Sequence, residues 1–160
     1  MRDPTLRTRI SMNTRQENPM NLSLDQAQAI IKNCLEWRKS NDLKPLTIAV
    51  LDSGGYLVAL AREDGTSNLR PDIAQGKARG AVAMGLGSRA LFERAKAEPF
   101  FIQAMNALSN GSLVPVAGGV LIKKDGVILG SVGITGDNSD NDEACAISAI
   151  EKAGFVADGG

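Results

Sequence analysis

The sequence predicts an α+β fold, a layer of helices on an antiparallel sheet, and three observations predict it. Two pairs of short apolar runs are each joined by a glycine turn, Ser53-Gly54-Gly55 in the first and Asp125-Gly126 in the second. Glycine turns between β-branched and aliphatic runs are hairpin signals. The stretch between the hairpins is rich in alanine and glycine and carries no strand periodicity. The whole is bracketed by segments with apolar residues at helical spacing, so helices and antiparallel strands must pack as layers.

Taken in order, Ser23 followed by Gln26 forms a capping box, and Ala27, Ile30, Ile31, Cys34 and Leu35 then recur at helical intervals, which predicts a helix over about 23–41. Pro45 opens LTIAVLD, and YLVALARED follows the glycine turn as the second strand of a hairpin. From Asp72 to about Leu108 the chain reads as helices interrupted near Gly85–Gly87 and Pro99. In the first of these, Ala74, Ala78, Ala81 and Gly85 make one face of small residues, as close packing on a sheet or another helix requires. Val120 to Ile122 and Val127 to Ile134 flank the Asp-Gly turn, and Ala144, Ile147, Ser148 and Glu151 mark a last helix over about 140–153, stopped by Gly154. There is no internal repeat. We read residues 1–21 as a flexible arm, with Met20 as an alternative start or the arm as an oligomer-clasping tail, and residues 22–157 as one domain.

Composition narrows function. The chain has 18 basic and 18 acidic residues, so there is no cationic field for nucleic acid or anionic membranes. No apolar run approaches the roughly 20 residues of a membrane span. The first 21 residues lack the apolar core of a signal peptide. Cys34 and Cys145 fall at apolar helix positions without CxxC spacing and read as two reduced core thiols, which suits a cytoplasmic protein. The chain has no histidine, which excludes Ser-His-Asp and Cys-His nucleophile pairs, HExxH zinc sites and histidine as a haem ligand.

The carboxylates Asp137, Asp140, Asp142 and Glu143 crowd the start of the last helix. A helix N-terminus favours each by up to about 1 kcal/mol, so capping accounts for some of them, while four together repel one another. A calcium loop fails on spacing, because Asp142 stands where the turn needs glycine and Ser148 where it needs glutamate. An anion on the Gly133–Gly136 loop would be repelled by the same carboxylates. Lys77 shares a helix stripe with Ile73, Ala81 and Met84, so its ammonium either snorkels, pairs with a carboxylate, or lines a pocket with a lowered pKa. Snorkelling or pairing is the more frequent outcome. Pro115, Gly118 and Gly119 enter a strand where a backbone or a ligand can come close. Arg62 and Arg70 bracket the EDGTSN turn and are either anion contacts or solvated. Trp37, Tyr56, Phe100 and Phe101 read as core or interface aromatics, since only 4% of the chain is aromatic.

The segments 52-DSGGYLVALAREDG-65, 73-IAQGKARGA-81, 115-PVAGGVLI-122, 126-GVILGSVGITG-136 and 142-DEACA-146, in this order, make the chain resemble the GlcG/HbpS-like family of small haem-binding or haem-degrading-type proteins, which includes the C-terminal domain of PduO-type proteins. The resemblance runs from about Leu22 to Phe155. It implies a profilin-like sheet of about five antiparallel strands flanked by helices, in a homo-oligomer with a pocket at or near the subunit interface. It implies haem or a corrinoid as cofactor, here without histidine ligation. By carry-over it makes Lys77, Gly118, Gly119 and Asp142 pocket residues, with Glu143 beside them. Two functions follow. One is a binding protein whose pocket holds a carboxylated or planar small molecule through Lys77 and Arg70, walled by Pro115, Gly118 and Gly119. The other is a small catabolic isomerase or lyase with Asp142 or Glu143 as base and Lys77 as electrostatic partner. The residues call for no metal.

Overall fold

The computed structural model describes residues 21–160. In chain order it contains α1 (Leu24–Ser40), β1 (Thr47–Asp52), β2 (Leu57–Arg62), α2 (Arg70–Met84), α3 (Ser88–Ala97), α4 (Pro99–Leu108), β3 (Gly119–Lys124), β4 (Val127–Thr135), α5 (Ser139–Lys152) and β5 (Val156–Asp158). The strands form one antiparallel sheet in the order β2-β1-β4-β3-β5. The fold class is therefore α+β, as the sequence predicts. The proposed arm lies outside the described residues except for Asn21.

Helix α1 starts at the capping box: Ser23 Oγ accepts from the Gln26 amide at 3.2 Å and Gln26 Oε1 from the Ser23 amide at 2.9 Å. Its buried residues Ala27, Ile30 and Cys34 lie, with α5, on one face of the sheet. The strands present Ile48, Val50, Val120, Ile122, Val132 and Ile134 to that core, every second residue, as the pleat requires.

The opposite face receives α2, and here the small residues act. A β carbon on Gly133 would run into the Ala74 carbonyl, and one on Gly119 into the Lys77 carbonyl. The Ser131 hydroxyl donates to the Ala78 carbonyl at 2.8 Å. Glycine on the strands and alanine on the helix thus bring two backbones together. The Ala74, Ala78 and Ala81 face packs inside the chain, so it is not available to a second subunit. Helix α2 starts at Arg70, two residues before the predicted Asp72, because Pro71 fits the first turn, where its missing N–H has no partner to lose. Gly85 ends it with φ 67°, and Pro99 opens α4.

One outcome differs from the reading of the residues. Strand β5 has only three residues, at the sheet edge beside β3, too short for any alternation to show. The aromatics, read as core or interface residues, divide: Trp37 packs half-buried against the core and Phe101 is half-buried, while Phe100 is 85% and Tyr56 74% exposed and neither lies in the core.

Candidate functional site

The packing of α2 on glycines carries Lys77 beneath the end of β4, where its ammonium donates to the Ile134 carbonyl at 2.9 Å and to Asp142 Oδ2 at 3.1 Å. Lys77 is 3% and Asp142 1% exposed. Asp142 lies in the first turn of α5, and its Oδ1 accepts from the Asp137 amide at 3.1 Å. The pair therefore ties α2, β4 and α5 together. Gly118 covers it. With φ 118°, it would carry a β carbon 2.7 Å from the Ile134 carbonyl oxygen, 2.9 Å from Lys77 Nζ and 3.2 Å from Asp142 Cβ. Only glycine lets the loop close over the pair.

Burial pushes the Asp142 carboxyl up and the Lys77 ammonium down, because desolvation penalises each charge. The charge of each partner and the hydrogen bond between them oppose both shifts, and nearby Arg70 lowers Lys77 further. A buried ion pair of this kind is costly to break, since removing one partner strands the other's charge in the interior.

The remaining carboxylates separate into other tasks. Glu143, named with Asp142 as a candidate base, faces away from Lys77: Arg89 Nε lies 3.0 and 2.8 Å from its two oxygens, and Arg89 Nη2 reaches Asp140 at 2.6 Å. Those two acids hold the Arg89 guanidinium even more firmly protonated than usual, the Glu143 hydrogen bond foremost. Asp137 accepts from the Lys44 amide at 2.9 Å, from the Asn138 amide at 2.8 Å and from Asn141 Nδ2 at 2.7 Å. Its carboxyl is held below the usual range, most strongly by the Lys44 amide. The helix cap itself is Asn138, whose Oδ1 accepts from the Asn141 amide at 2.8 Å. Among the described residues no three His, Cys, Asp or Glu side chains converge as a metal site.

Of the other candidates, Arg70 and Gly118 adjoin the pair. Arg70, half-buried at the start of α2, donates to Thr135 Oγ1 at 2.6 Å. Pro115 is half-buried in the segment leading to Gly118, and Gly119 is used by the approach of α2. Two clefts open elsewhere among the described residues. One of about 370 Å³ lies along α1 and α5 and is lined by Asn33, Glu36, Trp37, Ser40, Ser148 and Lys152. The other, about 210 Å³, lies between α2 and the 110–114 loop and includes Asp72, Gln75 and Arg79. Neither includes Lys77 or Asp142. The reading of residues missed Arg89 and Asn138. Asn138 carried a local signal, an Asn three residues before the amide it caps, whereas Arg89 meets its acids across 51 and 54 residues, a distance no local pattern spans.

A five-stranded antiparallel sheet with α1 and α5 on one face, α2 on the other, and a glycine-covered lysine–aspartate pair at the α2–β4–α5 junction defines a small α+β domain of one recurring type. The chain belongs to the family described as haem degrading protein HbpS-like, whose model matches residues 22–151. It is 36% identical to Protein GlcG of Escherichia coli strain K12 over 115 residues, covering 71% of this chain and 81% of that protein. Among solved structures it is similar to a PduOC:heme complex, with TM-score 0.76 and 22% identity, covering 84% of this chain and 96% of that one. It is also similar to the Klebsiella pneumoniae protein ORFY, with TM-score 0.78 and 18% identity over 90% of this chain and 98% of that one. HbpS gives TM-score 0.73 and 22% identity over 86% and 94%.

Proposed function

We propose that the protein binds a planar, carboxylate-bearing small molecule of the haem or corrinoid class, at an edge formed by Arg70, Pro115 and Gly118, without histidine ligation. The observation that carries the reading is the closure of the Lys77–Asp142 pair. Both oxygens of Asp142 accept N–H groups, and both side chains are out of water, so the pair serves as a keystone beneath the site rather than as an accessible base. Arg70, half-buried and bonded to a neutral hydroxyl, is the cation beside the pair with charge to offer a ligand carboxylate. The family and the haem complex among its structural relatives support the ligand class.

The residues of this chain fit such a group through its carboxylates and not through histidine at the iron. Lys77, Cys34 and Cys145 are buried, while Tyr56 is exposed and Met84 half-buried, so among the described residues these two are side chains suited to iron that solvent reaches. We further propose that the domain forms a homo-oligomer. Its contact would be α4, where Phe100, Ala104 and Leu108 share one exposed stripe at four-residue spacing, Leu108 being 77% exposed.

Titration of haemin into the full chain, followed by absorbance, tests the ligand reading. The expected result is a saturable change in the Soret region without a bis-histidine spectrum, weakened about tenfold or more by Arg70→Ala, as loss of a charged hydrogen bond would give. Equal binding by wild type and Arg70→Ala would remove the site from this edge. The isomerase or lyase reading retains one favourable observation, the shift of both buried groups toward their neutral forms, which is common at catalytic sites. It requires turnover of a carbonyl compound by the wild type that is lost in Asp142→Asn with the fold intact.

A further inference from the structure

Cys34 and Cys145 read from the sequence as two unrelated core thiols, but the fold places them together. Both are completely buried at the seam of α1 and α5, and the Cys145 thiol donates to the Cys34 carbonyl at 3.5 Å across 111 residues of chain. Burial first, and then the neighbouring Cys145 side chain, push the Cys34 thiol well above its usual range. Ala27, Ala146 and Ala149 share this core, so the two helices meet through small side chains. A thiol that touches the backbone of the other cysteine lies at the range from which a disulfide is built.

A second observation concerns access. The cleft of about 370 Å³ runs along the same seam, and its lining residues Asn33 and Ser148 are the neighbour of Cys34 and the residue one helical turn beyond Cys145. A small neutral oxidant in that cleft lies against the same two helices that carry the thiols.

We propose that Cys34 and Cys145 form a latent intramolecular disulfide site, closed by a peroxide and locking α1 to α5. In the reaction one thiol gives up its proton and attacks hydrogen peroxide as the thiolate, breaking the O–O bond; the departing hydroxide takes a proton, leaving a sulfenic acid and one water. The second thiol then attacks that sulfur, the S–S bond forms, and a second water leaves. Two S–H bonds are lost, the two sulfurs are oxidised by two electrons in total, and the peroxide is reduced. The bridge encloses β1 to β4 and α2 to α4 within one covalent loop, so the oxidised chain resists unfolding.

The test exposes the folded full chain to hydrogen peroxide, unfolds it with an alkylating reagent and measures its intact mass. The expected result is a monomer lighter by two hydrogens that takes up no alkyl group, with one cross-linked peptide pair containing Cys34 and Cys145. Its melting temperature should rise on the order of 10 °C, as a loop of this length gives, and return on reduction. Cys34→Ala should abolish the mass change. Should Cys34→Ala fail to fold, the peptide map of the oxidised wild type decides alone. Two alkylated thiols after peroxide treatment, oxygen addition without a bridge, or a disulfide-linked dimer would each overturn the proposal.

Discussion

Replacing Lys77 by methionine removes the ammonium and keeps the length of the side chain, so it isolates the charge. Asp142 is then left 1% exposed, with the Asp137 amide as its remaining partner and no positive charge in contact. Stranding one member of a buried ion pair costs about 3–5 kcal/mol. Asp142→Asn should cost a similar amount, since the carboxamide can still accept one hydrogen bond but leaves Lys77 uncompensated. A helix-end charge that only capped α5 would be worth no more than about 1 kcal/mol, so the two accounts differ severalfold. The double variant removes both charges and should be more stable than the sum of the singles implies, by about 2 kcal/mol or more. Urea unfolding of the four proteins, monitored by circular dichroism, measures the cycle; for a chain of this size each 1 kcal/mol shifts the melting temperature by about 2–4 °C. Single variants within about 1 kcal/mol of wild type, with additive effects, would refute the keystone role.

Gly118→Ala should destabilise by about 2 kcal/mol or more, since its β carbon meets the Ile134 carbonyl at 2.7 Å and its φ of 118° disfavours any side chain, and chemical denaturation would measure the loss. A variant as stable as wild type would show that the loop closes differently. Asp137, with its lowered carboxyl pKa, contributes stability that is complete above the unfolded value of about 4 and is lost as pH falls through the folded value; Asp137→Asn should therefore flatten the acid limb of a stability–pH profile. An unchanged acid limb would contradict the strap to Lys44. Light scattering should show an oligomer that Phe100→Glu with Leu108→Glu converts to a monomer, and a wild-type monomer at micromolar concentration would remove α4 as a contact.

Much of the fold is local and was therefore legible in the sequence. The capping box of α1, the two glycine turns and the breaks at Gly85 and Pro99 are decided by residues a few positions apart, and each appears where the pattern puts it. The small-residue face of α2 announced close packing, yet its partner, Gly119 and Gly133 of the sheet, was set by strand order, which no local signal carries. The same limit explains the site. A lysine in an apolar stripe and an excess of carboxylates marked Lys77 and Asp142 separately, and only the fold brings them to 3.1 Å while turning Glu143 to Arg89. The cysteines were hidden for the same reason: spacing reports neighbours along the chain, and these two meet across the seam of the first and last helices.

The central claim is that the edge formed by Arg70, Pro115 and Gly118 holds a planar carboxylated ligand above an intact Lys77–Asp142 pair. A crystal structure of the chain with haemin tests it most directly. The account predicts ligand density at that edge, a carboxylate within hydrogen-bonding distance of Arg70, no histidine on the iron, and the Lys77–Asp142 contact preserved beneath. Haemin in the α1–α5 cleft, or bound with that pair opened and Asp142 facing the ligand, would contradict it.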